Sequence, residues 1–298
     1  MVGPRGVEMR RLLVAFVAGA TLLVLPASAS EATTGGQTLR KEITAKDFDR
    51  KNFDRSTTID NEWFPLKPGM QFVYEGSTRE GNKRIRHRGV FTVTDLTKEI
   101  DGVRTVVVWD RDYSAGRLEE AELALFAQDN DGNVWHLGQY PEVYENGKLV
   151  EAPAWIHGLR GARAGISMKA EPRLGTPDYS QGWGPEVNWV DRARVFKAGQ
   201  TTCVPAGCFE NVLVTDEFER TKPDADQLKY YAPGVGNVRV GWMGAKDEDH
   251  EVLVLVRVVH FSPEALANVR AKALELEKRA YEVSKDVYAH TPPAEHTP

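Results

Sequence analysis

The chain has 298 residues, 41% of them hydrophobic, with 38 basic and 43 acidic side chains and a formal net charge of −5. An acidic balance without a clustered Lys/Arg stripe argues against a nucleic-acid partner. Two cysteines and seven scattered histidines, with no pair at metal-ligand spacing, exclude the common zinc motifs.

The first segment reads as an address. Arg10 and Arg11 precede an apolar run from Leu12 to Leu25, and Pro26 with Ala27-Ser28-Ala29 follows it. This is the three-part layout of a secretory signal peptide, with cleavage predicted after Ala29 and either Met1 or Met9 as the start. The run is shorter than the roughly 20 apolar residues that a bilayer requires, so no transmembrane segment is predicted in the mature chain. No cysteine lies near the cleavage site, which argues against a lipid attached there. The predicted location is secreted: extracellular, cell-envelope or periplasmic. The excised residues carry Arg5, Arg10, Arg11 and Glu8, so the mature chain is more acidic still.

Residues 30–58 are polar and read as a flexible lead-in. An antiparallel β domain is predicted over 59–261, since from about residue 71 the apolar pattern has period two: Phe91 and Val93 alternate with Thr92 and Thr94, and Val238, Val240 and Trp242 with Arg239 and Gly241. Turn dipeptides punctuate it at Asp101-Gly102, Ala115-Gly116 and Asn146-Gly147. Residues 151–182, rich in Pro and Gly, read as a loop-rich interruption. The last run, "EVLVLVRVVHFS", is apolar on both faces and predicts a strand covered on both sides. A helix over 262–288 follows, with Ser262 as N-cap, Pro263 at its first position and a stripe of Leu266, Val269, Ala273, Leu276, Ala280, Val283 and Val287. The stripe fits docking on the sheet; it also fits a coiled-coil seam, for which Ala273 and Ala280 are small. Residues 289–298 read as a disordered tail. The fold class is therefore mainly β: an antiparallel meander forming a barrel, or a curved half-barrel or sandwich, with a long C-terminal helix.

Cys203 and Cys208 flank Val204-Pro205-Ala206-Gly207 between two strand-like runs, and export permits a disulfide there. The spacing is C-x4-C, unlike redox C-x-x-C motifs. "QDNDGNVW" matches part of a calcium loop, but Ala127 and Gly138 stand where acidic ligands are needed, so it reads as a hairpin turn. Most of the seven tryptophans must be core; Trp155 and Trp183, in the Gly/Pro-rich segment, would form a ligand surface if exposed. Asp110 shares its strand face with Val106 and Val108, and Asp191 shares one with Trp189, Ala193 and Val195. A carboxylate pointing inward is costly unless paired, so each either meets an arginine such as Arg111 or Arg192 or has a raised pKa and a functional role. In "LKYYAPGVG", Tyr230 and Tyr231 point to opposite faces ahead of a tight reversal. No Gly-x-Ser-x-Gly, His-Glu-x-x-His or phosphate-binding glycine loop is present, and no cofactor or metal is predicted.

"FPLKPG", "VPAGCFENVLVT" and "KYYAPGVGNV" resemble recurring phrases of a family of secreted bacterial β-proteins, largely actinobacterial and mostly of unassigned function. The likeness covers roughly residues 59–260. It implies export and an antiparallel β architecture and brings no catalytic residues with it. Cys208 departs from the family pattern after Pro-Ala-Gly, and the C-terminal helix lies beyond it.

Three functional expectations follow. The first is an exported, non-enzymatic binding protein that holds an apolar or lipid-like small molecule within a curved sheet, with Trp155, Trp183, Tyr231, Asp110 and Asp191 as candidate ligand-binding residues. The second is a carbohydrate-binding or cell-wall-associated module, its partner a cell-envelope glycan gripped by Trp155 and Trp183. The third is an acid/base hydrolase drawing on Asp110, Glu186 or Asp191.

Overall fold

The structure, a computed structural model, describes residues 43–297. The signal peptide, residues 30–42 of the lead-in and Pro298 lie outside the described residues. Among the described residues, alternating sequence and frequent turns give sixteen strands: β1 (Met70–Glu80), β2 (Lys83–Ile100), β3 (Val103–Ser114), β4 (Arg117–Gln128), β5 (Val134–Glu145), β6 (Lys148–Glu151), β7 (Trp155–Ile156), β8 (Arg163–Met168), β9 (Tyr179–Ser180), β10 (Gly182–Trp183), β11 (Arg192–Val204), β12 (Gly207–Phe218), β13 (Asp226–Ala232), β14 (Gly236–Met243), β15 (Val252–His260) and β16 (Glu295–His296), with one α-helix, α1 (Pro263–Val283). They form one antiparallel sheet whose path runs β10-β8-β5-β4-β3-β2-β1-β15-β14-β13-β12-β11-β9, with β6 and β7 added to β5 and β16 to β2.

The hydrogen-bonded path is open, so the sheet is curved rather than a closed barrel. Its two ends, β9 and β10, are nevertheless separated in the chain by Gln181 alone. Short strands thus arise inside the segment that reads as loop in the sequence: Pro and Gly cut it into pieces of two to six residues, and β8 still finds β5 through Val134↔Met168 and His136↔Gly165. At the other margin β11 pairs with β9 only at Arg192 and Ala193, and its ladder to β12 slips three times between Val195 and Thr202.

Alternation divides the side chains into two cores. On β3 and β4, Val107, Leu123 and Leu125 join one cluster with Leu96, Ile100, Trp135 and Leu137. Val106, Val108, Ala124 and Phe126, one residue out of phase, join the other with Phe72, Tyr74, Val195, Leu213, Tyr231, Val238 and Leu255. The second cluster draws on strands from both halves of the path, which requires the sheet to curl around that face. It is therefore the inner face.

Helix α1 covers the outer face. The Ser262 hydroxyl accepts from the Ala265 amide, Pro263 sits at the first position, and Val269, Ala273, Leu276 and Ala280 are buried. The predicted stripe is thus used within the chain, with Ala273, Leu276 and Ala280 packed against the outer cluster. Ionic contacts fix the helix: Arg270 to Asp95, Glu277 Oε1 to Lys98 Nζ at 2.7 Å and Arg279 Nη2 to Glu142 Oε2 at 2.9 Å. Lys98 is fully buried; its ammonium also donates to Tyr281 Oη at 2.9 Å and lies 4.4 Å from the Tyr288 ring centroid. Burial lowers the Lys98 pKa from its ordinary value while Glu277 acts to raise it.

Four expectations are corrected here. The helix ends at Val283, before Val287, and residues 288–290 form a single 3-10 turn with Tyr288 buried. The tail is ordered as far as residue 297: Ala294 N donates to Glu277 Oε1 at 3.0 Å and β16 pairs with Thr97 and Leu96. The lead-in is structured from residue 43, with 3-10 turns at Ala45–Asp47 and Arg50–Asn52, and Phe48 and Phe53 packed edge-on to Trp135. Finally, β15 is deeply buried on one face only, by Leu253 and Leu255, while Val252, Val254 and Val256 remain half-buried.

Cys203 and Cys208 oppose each other in the β11–β12 hairpin and form a disulfide. Since the bond closes a very short loop, replacing both residues with Ser is expected to lower stability by about 2 kcal/mol or less and to leave the circular-dichroism spectrum unchanged. The helix clamp behaves differently. Glu277→Ala leaves a buried ammonium without its carboxylate and is expected to cost about 3–5 kcal/mol in urea unfolding, whereas Lys98→Met combined with Glu277→Leu recovers most of that loss.

Candidate ligand cavity

The inner face is not filled. A cavity of about 110 Å³ lies among Phe64, Phe72, Tyr74, Phe91, Phe126, Trp189 and Tyr231, with Asp110, Glu120, Glu122, His136, Glu217 and Lys229 as its charged and titratable lining. The segment before β1 forms one wall. Asn61 holds it: its Oδ1 accepts from the amides of Trp63 and Phe64 at 2.9 and 3.0 Å, and its Nδ2 donates to the Gly132 carbonyl at 2.8 Å. Phe64 then stands 5.6 Å from Phe126 and 6.1 Å from Tyr231, both nearly edge-on, bridging strands far apart in the sheet path.

The polar part of the lining comes from β3, β4, β12 and β13. Asp110 is directly opposite Glu122, and Asp112 opposite Glu120, so carboxylates face each other across β3 and β4. On the inner face this is the same alternation that places Val108 beside Ala124, continued with acids. Asp110 accepts from the Arg111 amide at 2.9 Å. Burial pushes its carboxyl up to about 6, against the lowering effect of that bond and of the Arg111, Lys229 and His87 charges. Burial, with the nearby Asp110 and Glu251 carboxylates adding to it, also raises Asp112 well above its ordinary value. Beneath them His87 Nε2 lies 3.3 Å from Asp112 and 3.4 Å from Glu251, which accepts from Gln227 at 2.7 Å. Lys229 Nζ is directed at Glu217 Oε2 at 2.7 Å, and Tyr231 Oη lies 3.4 Å from Glu217 Oε1.

On β5, directly beside β4, His136 stacks on Phe126 at 4.8 Å and meets Trp155 and Trp189 edge-on. It is 5% exposed, and burial pushes its imidazole down to about 3, so the ring is neutral. The seam behind it depends on glycine. A Cβ on Gly182, whose φ is +155°, would lie 2.6 Å from Trp189 Nε1 and 2.8 Å from Trp155, so only glycine lets the chain cross these indoles.

These positions sort the sequence-derived candidates. Asp110 and Tyr231 line the cavity. Trp155 is not an exposed indole: it is 2% exposed and packs 5.6 Å from Trp189. Trp183, in the neighbouring β10, is exposed, so the two form no shared platform for a sugar ring. Asp191 is buried beside the seam, its carbonyl accepting from the Gln181 amide, and Glu186 is exposed and paired with Arg160 at 3.4 Å. The hydrolase set is thus scattered, with Asp110 alone of the three at the cavity. Asp129 is a turn clamp, accepting from the Asp131 and Asn133 amides and from Trp135 Nε1. Among the described residues no cluster of His, Cys, Asp or Glu could hold a metal ion, and no helix is long and apolar enough to cross a membrane. Sequence reasoning missed Phe64, Glu122, Phe126, His136 and Lys229. The run Glu120, Glu122, Ala124, Phe126 carries a legible signal, a period-two face that turns from acidic to apolar.

No family model and no curated protein matches the chain. Among solved structures it is similar to a candidate exported protein with a YmcC-like fold from Bacteroides fragilis, at 17% identity over 67% of this chain and 99% of that one, with a TM-score of 0.40. It is also similar to a candidate lipoprotein from Parabacteroides distasonis, at 13% identity over 67% of this chain and 100% of the other, with a TM-score of 0.36. A superposition this loose speaks to neither site nor ligand.

Asp110 binds its proton more tightly in the folded chain, at about 6 against an ordinary 3.8, so its contribution to stability falls as pH rises through that window. Asp110→Asn keeps an acceptor for the Arg111 amide and removes the titration. The variant is expected to unfold at a higher temperature than the parent at pH 8, its stability greater by up to about 3 kcal/mol, with the difference gone at pH 4. Thermal unfolding at the two pH values checks this.

Proposed function

We propose that this chain is an exported, non-enzymatic binding protein for an apolar small molecule. The observation that carries the reading is the cavity on the inner face, walled by Phe64, Phe72, Phe91, Phe126, Tyr74 and Tyr231. Buried aromatic side chains normally fill the space between them. Here they surround a volume comparable to the roughly 150 Å³ apolar cavity that accepts benzene. The natural occupant is therefore a molecule that presents one ring-sized or branched apolar group, with the rest of its length directed to the mouth. Export rests on the N-terminal leader, and the disulfide fits an oxidising compartment.

Titration calorimetry with 4-phenylbutan-1-ol tests the reading. One molecule is expected to bind per chain, saturably, and Ala124→Phe, which fills the cavity from β4, is expected to abolish binding while circular dichroism shows the sheet intact. Saturable binding that survives Ala124→Phe, or no saturation by any neutral or charged arene of this size, rejects it.

A further inference from the structure

The outer face continues beyond the footprint of α1, and there its chemistry changes. The ionic contacts of the helix reach Asp95, Lys98 and Glu142. Further along β2, Arg84, Arg86 and Arg88 alternate on the outward side, and Arg88 lies opposite Tyr113 of β3 and Glu75 of β1. Glu75 in turn lies opposite Val254 of β15, Val254 opposite Arg239 of β14, and Arg239 opposite Tyr230 of β13. One row of outward side chains thus crosses six strands. Arg257, opposite Val73, and Arg111, which alternation turns away from the cavity that Asp110 lines, flank it on the same face.

The charges on this face are not neutralised from within. Glu75 pairs with Arg86 at 3.2 Å, whereas Arg88, Arg111, Arg239 and Arg257 form no ion pair with a carboxylate among the described residues. Three of them lie against rings instead: Arg111 is 3.8 Å from the centroid of Trp109, Arg239 5.2 Å from Tyr230 and Arg88 5.8 Å from Tyr113. A ring face holds a guanidinium in place without cancelling its charge. Nε of each of these three arginines is buried and has no hydrogen-bond partner, so the protein leaves part of their donor capacity unused. A chain with a net charge of −5 therefore gathers arginine on one side.

We propose that this arginine face docks on an anionic phospholipid bilayer. The sheet curls toward the cavity, so its outer face is convex: it encloses no small anion, offers no groove to a polymer and meets an extended surface. Six strands span roughly 24 Å, enough to touch several headgroups at once. Guanidinium forks match phosphate oxygens, and Trp and Tyr suit the boundary between headgroups and acyl chains. The predicted leader directs the chain across such a membrane, which places a bilayer surface within reach. The contact leaves the inner cavity free, so it stands or falls independently of the ligand reading.

Co-sedimentation of the secreted chain with vesicles tests this. Vesicles of equal parts phosphatidylglycerol and phosphatidylcholine are expected to bind it at least about tenfold tighter than phosphatidylcholine alone, with the preference lost as sodium chloride rises from about 0.1 to about 0.5 M. Arg88→Gln combined with Arg257→Gln is expected to weaken binding to the mixed vesicles by about tenfold or more while circular dichroism is unchanged. Should that pair fail to fold, Arg84→Gln with Arg257→Gln, both at exposed sites, replaces it. Lys148→Gln with Lys278→Gln removes the same charge from β6 and α1 and is expected to leave binding within about twofold. No preference for the mixed vesicles, binding unaltered by the arginine pair, or an equal loss in the lysine pair overturns the proposal. So does binding to soluble inorganic polyphosphate without binding to vesicles, which would assign the face to a polymer.

Discussion

The ammonium of Lys98 and the carboxylate of Glu277 meet where sheet, helix and C-terminal tail converge, and the arrangement of the outer face depends on that contact. An isolated charge at this depth would be prohibitive, and the pair is tolerable because other groups complete it: Tyr281 and Tyr288 surround the ammonium, and Ala294 N donates to the carboxylate. These groups belong to the helix, to the turn after it and to the segment leading into β16. Helix docking and tail ordering are therefore one event. With the outer face closed by α1, the inner face must be covered by the sheet itself, and it achieves this by curling.

Curling explains why the two faces of the same strands have such different chemistry. Outward side chains of β3 and β4 meet a helix with a complementary stripe and pack as an ordinary core. Inward side chains meet the opposite half of the sheet across a wider gap. Near Phe126 and Val106 the gap is narrowed by Phe64 and neighbouring apolar groups; near Asp110 and Glu122 it is lined by acids. Burial strips these carboxylates of hydration, which raises the affinity of Asp110 and Asp112 for protons, and at Asp112 the neighbouring Asp110 and Glu251 charges add to the effect.

Local signals made most of the architecture readable in the sequence. Asp101-Gly102, Ala115-Gly116 and Asn146-Gly147 all adopt the positive φ values that their turns require, and each separates strands whose period-two pattern is plain. Ser262, Pro263 and the apolar stripe marked the helix for the same reason: capping and amphipathicity are decided within a few residues. What escaped was decided over long distances. The pairing of β16 with β2 joins positions about 200 apart, and nothing in "TPPAEHTP" reads as a strand by itself. Trp155 lies in a Gly/Pro-rich stretch that suggests exposure, yet it is buried because Gly182 and Gly184 bring a second segment across it. The cavity was only half legible. Asp110 stood out because it interrupts a valine face, whereas Phe64 became part of the site through contacts between distant strands and His136 through its pairing beside Phe126.

The slipped edge of β11 bears on what happens when many copies of this chain are close together. A sheet that does not close by hydrogen bonding has margins, and a margin of free amides and carbonyls is an invitation to another chain. One end of this sheet finishes in β10, a strand of two residues. The other leaves most of β11 uncovered beyond Ala193, but there the ladder is broken three times, Lys197 interrupts it, and the Cys203–Cys208 bond fixes the hairpin tip. An incoming strand would find no straight run of matched donors and acceptors. The irregularity that looks like imperfect β-structure is thus a safeguard against aggregation, and straightening β11 would remove it.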